Sequence, residues 1–122
     1  MKATLCAVLA ALLLGGLLSH HAQAQTGVPK AELARGEHVA RLICSTCHVV
    51  AKDQEFPPMI NQPVPSFADI ANRPGVSAES LQHFITTTHW DPDKIPMTMP
   101  NPMLTREQTR AVARYILSLR SH

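Results

Sequence analysis

Along this chain apolar residues return at helical spacing, and prolines cut the pattern into short pieces. From Lys30 to Ile43, Leu33, Gly36, Ala40 and Ile43 recur at intervals of three and four, with Pro29 suitably placed near a first turn. Residues 49–65 break the pattern, because Pro57, Pro58, Pro63 and Pro65 forbid regular structure. Ser66 to Asn72 reads as a short helix closed by Pro74-Gly75. Ser77 predicts the N-cap of another, with Leu81, Phe84 and Ile85 on one face and His89 beyond it. A second proline-rich loop fills Asp91 to Leu104. Thr105-Arg106-Glu107-Gln108 has the form of a capping box, and the final helix should run to about Arg120 with Ala111, Val112, Tyr115, Ile116 and Leu119 as its apolar stripe. No strand pattern competes and no repeat is present. The prediction is an all-α chain of about four helices with long loops. Loops of that length count against an assignment in so small a domain, unless they wrap a cofactor.

The N-terminus follows a different rule. Met1-Lys2 is a short basic start, residues 3–18 are almost all apolar, and Ala22-Gln23-Ala24 offers a small-residue cleavage site. This is the layout of a secretory signal peptide, with cleavage expected after Ala24. The apolar run of 16 residues is shorter than the roughly 20 that a spanning helix needs. The expected mature chain is therefore residues 25–122, a single exported domain of 98 residues without a transmembrane segment.

Export changes the meaning of the cysteines. The chain has three, and Cys6 leaves with the peptide, so Cys44 and Cys47 remain. They stand in Cys44-Ser45-Thr46-Cys47-His48, the C-x-x-C-H pattern of c-type haem attachment. Two thiols can add across two vinyl groups of a porphyrin, and one imidazole can bind its iron. On a helical turn these three side chains share one face, so five residues can hold a planar cofactor at two edge points and at its metal. A thioredoxin-like pair would need a strand before Cys44, and a zinc site would need a second Cys/His pair; the pattern supplies neither. With both thiols given to haem, no structural disulfide can form, which is unusual for a small exported domain. A buried haem c would instead give the helices something to pack against.

A six-coordinate iron needs a second axial ligand, and methionine raises the reduction potential. Met59, Met97, Met99 and Met103 are the candidates. Met99 is preferred, because Pro100 fixes its own φ and biases Met99 towards an extended conformation. Met97 is the first alternative, with Met103 and His89 behind it.

With these residues in view, the chain resembles the class I cytochromes c, of the small bacterial periplasmic type with one haem. The resemblance spans the whole expected mature domain. It implies that Gly36, eight positions before Cys44, packs against Tyr115 of the last helix. It implies that the Pro65 carbonyl accepts the Nδ1 proton of His48, the proximal iron ligand, and that Met99 is the distal ligand. The Met97-Thr98-Met99 pair and Met103 depart from members with a single methionine, and the proximal loop differs in length and proline content from the mitochondrial type. The function implied is one-electron transfer, with iron cycling between Fe(II) and Fe(III), in a monomeric non-enzyme whose partners are redox proteins or a membrane respiratory complex. An open-site haem protein, such as a peroxidase or gas sensor, and a cytochrome subunit of a larger dehydrogenase or oxidase are the alternatives. Charge does not choose among partners: without Lys2 the chain has 10 basic and 9 acidic residues, which gives no ground for nucleic-acid binding.

Overall fold

A glycine sets the closest helix contact. In the computed structural model, which describes residues 27–60, 63–87 and 99–121, helices α1 (Lys30–Val39) and α4 (Arg106–Ser118) pack together at Gly36. A Cβ there would lie 2.1 Å from the Ala111 carbonyl oxygen and 2.8 Å from the Tyr115 Cβ. Only glycine permits this approach, and the expected Gly36–Tyr115 contact is present. Glu32 of α1 closes the crossing at the surface, with Arg110 and Arg114 of α4 both paired to its carboxylate.

Among the described residues two shorter helices join them in the all-α fold: α2 (Phe67–Ala71) and α3 (Ala78–Thr86), both packed on α4. There is no strand among the described residues, and no helix there is long and apolar enough to cross a membrane. The caps follow the sequence. Ser66, Ser77 and Thr105 each accept from the backbone N–H three residues on, and Asp69, Ser80 and Gln108 accept in return from the cap's own N–H. Between α2 and α3, Arg73-Pro74-Gly75-Val76 forms a turn in which Gly75 takes a φ of +77°, with Pro74 ahead of it.

Two expectations shift. The first helix does not continue as an α-helix to Ile43: residues Ala40–Cys44 form a π-helical turn, with the Ser45 N–H donating to the Ala40 carbonyl at 3.1 Å. The extra residue in that turn changes the phase of the face. Val39 and Ala40 are buried, while Ile43, expected on the buried stripe, is largely exposed. The last helix ends at Ser118 rather than near Arg120. Arg120 turns back, its guanidinium donating to the carbonyls of Ala71 (2.8 Å) and Val76 (2.9 Å), so it ties the chain's end to the α2–α3 connection. The core is built from Val39, Ala40, Val50, Phe67, Ala71, Leu81 and Ile85 around the α4 residues Val112, Ala113, Tyr115 and Ile116. The expected signal peptide, His89, Trp90 and Met97 lie outside the described residues.

Candidate haem-binding site

The π-helical turn delivers Cys44 to the mouth of a tight helical turn. The N–H groups of Cys47 and His48 both donate to the Cys44 carbonyl, at 3.1 and 2.9 Å, and the Ser45 hydroxyl donates back to the Arg41 carbonyl at 2.6 Å. Cys44, Cys47 and His48 thus line one cavity, and both cysteines are free thiols.

His48 is held from behind. Its Nδ1–H donates to the Pro65 carbonyl at 2.8 Å, which leaves Nε2 as the ring nitrogen available to a metal. The Phe67 ring packs against the imidazole with centroids 5.5 Å apart and planes at 51°. Phe67 in turn meets Tyr115 at 6.4 Å, and the Tyr115 hydroxyl donates to the Val50 carbonyl at 2.9 Å. Burial pushes the Tyr115 hydroxyl above its ordinary pKa, so it remains a donor. The Phe67 N–H donates to the Val49 carbonyl, and the Gln54 side chain accepts from Val50 N–H while donating to the Phe56 carbonyl. The two residues after His48 are therefore pinned by α2, α4 and their own loop. At the surface Arg41 bridges Glu37 and Asp53, and this pairing holds the Asp53 carboxyl below the usual carboxylate range.

The cavity has a volume of about 400 Å³ and an almost wholly apolar lining. Val112 and Ile116 of α4, Leu81 and Ile85 of α3 and Ile70 of α2 contribute to it; Arg73 is the charged exception. Burial in these surroundings pushes the Cys44 thiol up to about 11, with Cys47 adding a smaller push in the same direction. Phe84 is about half exposed by residue area, yet it borders the cavity, so its ring would be covered by whatever fills the space. Met99 and Pro100 line the same cavity. Met59 and Met103 are 85% and 84% exposed and do not line it. The donor set fits a covalently held haem: two thiols at helical-turn spacing, an imidazole with one nitrogen already engaged, a thioether, and an apolar space between elements.

Sequence reasoning brought Cys44, Cys47, His48, Pro65 and Met99 to one place. It missed Phe67 as the ring against His48, although Pro65-Ser66-Phe67 puts that side chain two residues from the carbonyl partner. It also missed Gln54, which closes its own loop by bonds to Val50 and Phe56, and Asn101, whose partner Thr86 is brought to it only by folding.

A family model described as cytochrome c matches residues 33–120. A cytochrome c-552 of Bradyrhizobium diazoefficiens is 37% identical over 90 residues, covering 74% of this chain and 77% of that protein. No solved structure matches the chain. The family match takes in most of α1, the C-x-x-C-H turn, the cavity and α4 together, and the chain belongs to the cytochrome c family, as a haem c electron carrier with iron in its cofactor.

Proposed function

We propose that this protein is a periplasmic one-electron carrier with a closed, six-coordinate iron. Cys44 and Cys47 form the two thioether links, His48 Nε2 is the proximal ligand and the Met99 sulfur is the distal one. The observation that carries this reading is that Met99 borders the same cavity as Cys44, Cys47 and His48. When bound, the haem supplies the Fe(II)/Fe(III) couple.

The chain's own residues give that couple a fixed setting. Pro65 sets the tautomer of His48 and strengthens it as a donor. Phe67 limits the tilt of the imidazole. The apolar walls keep water away, which favours the state of lower net charge and, with a thioether ligand, a raised reduction potential. Arg73 is the cation at the cavity's edge available to a propionate. Ligands that stay in place through both states keep rearrangement small, which suits a carrier rather than a catalyst.

In this reading residues 1–24 are a signal peptide removed on export and 25–122 act as a monomeric domain. Its partners are redox proteins or a membrane respiratory complex, met through a small, transient interface. Absorption spectra of the purified mature protein in both redox states test the ligation. The oxidised wild type should show the far-red thioether-to-iron band, and Met99→Ala should lack it. A band retained in Met99→Ala would move the ligand to another methionine, Met97 first.

A further inference from the structure

The segment that carries Met99 packs on the core through Met99 and Leu104, and its backbone offers few donors. Pro100 and Pro102 have no N–H to donate. Among hydrogen bonds between described residues, one side chain ties residues 99–104 to another element. Asn101 Nδ2 donates to the carbonyl of Thr86, the last residue of α3, at 3.0 Å. The same amide's Oδ1 accepts from the Met103 N–H at 2.9 Å. Met103 adopts a φ of +54°, in the left-handed region that non-glycine residues rarely enter. Its side chain is exposed, so packing of the thioether does not account for the conformation. The Asn101 oxygen accepts the Met103 N–H and so closes a turn across Pro102, just before this residue. Pro100 and Pro102, on either side of Asn101, both face the cavity. Three separate features therefore converge on one amide: a bridge to α3, a turn closed across Pro102, and flanking residues that wall the haem space.

We propose that Asn101 is a positioning residue that clamps the Met99 segment to the end of α3 and so keeps the thioether at the iron. This rests on Met99 being the distal ligand. A tethered ligand competes with a free one through its effective concentration, which falls when the tether loosens. Aspartate keeps the acceptor for Met103 but sets a carboxylate against the Thr86 carbonyl.

The test is a titration of the oxidised holoprotein with imidazole, following the far-red band. Removal of both hydrogen bonds in Asn101→Ala should lower the imidazole midpoint roughly tenfold, as the open form becomes that much more populated. Asn101→Asp, which loses the bridge to the Thr86 carbonyl, should lower it too. Glu32→Gln, which loosens the α1–α4 crossing, should lower the denaturant midpoint and leave the imidazole midpoint where it is; a general loss of stability would move both. An unchanged imidazole midpoint in Asn101→Ala, with the band intact in the wild type, overturns the clamp and leaves Met99 as ligand. Should Asn101→Ala fail to accumulate with haem, Asn101→Asp decides by the same titration, an unchanged midpoint again overturning the clamp. A band missing from the wild type, or surviving in Met99→Ala, removes the ligand assignment and the clamp with it.

Discussion

At Gly36 the space for a side chain is already occupied by the Ala111 carbonyl and the Tyr115 Cβ. Both obstacles belong to the backbone or to the first carbon of a side chain, so neither can swing away. A methyl group would have to separate α1 from α4, or break the α4 hydrogen bond that uses the Ala111 carbonyl. Gly36→Ala should therefore cost about 3 kcal/mol or more in denaturant unfolding of the holoprotein, although alanine is the better helix former by about 1 kcal/mol. A loss below about 1 kcal/mol would mean that the helices can part cheaply. The resemblance named Tyr115 as its neighbour; the nearer obstacle, the Ala111 carbonyl, was not readable. Other residues show the same division. Cys44, Cys47 and His48 declare their chemistry by spacing, because a helical turn brings i, i+3 and i+4 together wherever it occurs. Phe67 and Asn101 declare nothing locally, because a ring or an amide of their type finds its partner across the fold.

The helices differ in how much of their making is local. Ser66, Ser77 and Thr105 could be placed as helix starts, since a hydroxyl before an apolar-periodic run satisfies N–H groups that no turn of helix can. In α2 the returned bond makes a prediction about pH. The Ser66 hydroxyl and N–H both donate to the Asp69 carboxylate and hold its pKa below the ordinary value. The stability from this cap is thus present above the usual carboxylate range and lost as pH falls through the lowered, folded value. Acid titration followed at the Ser66 amide should show this transition, and Asp69→Asn should abolish it. The α1–α4 crossing depends on a carboxylate distant in sequence. Glu32 is mostly buried between two arginines, so Glu32→Gln should cost about 1 kcal/mol at low salt, with a smaller cost in concentrated salt. Equal costs at both salt concentrations would remove the ion pairs as the cause. The π-helical turn at Ala40–Cys44 was not legible. Periodicity locates an apolar stripe but cannot report where one extra residue enters a turn, and this put Val39 inside and Ile43 outside.

Taken as a whole, this domain has a core arranged around a space. Ile70, Leu81, Ile85, Val112 and Ile116 turn apolar surface towards it, and at about 25 cal/mol per Å² the cover that haem gives this surface is stability that a haem-free chain lacks. A Cys44→Ala/Cys47→Ala chain produced without haem should show little cooperative thermal unfolding by circular dichroism, while the holoprotein should unfold in one sharp step. A haem-free chain that melts sharply near the holoprotein's midpoint would show that the helices suffice alone. The long proline-rich loops, improbable in a small domain, border this space: Pro63, Pro65, Pro100 and Pro102 all line it. The sequence by itself determined the helix starts, the all-α class and the C-x-x-C-H turn, because each depends on residues within about one turn of one another. Only the tertiary structure decided that Met99 faces the cavity, that Phe67 backs His48, and that Asn101 joins its loop to α3. Those contacts join residues distant in the chain, and their geometry follows from how α1, α2, α3 and α4 pack.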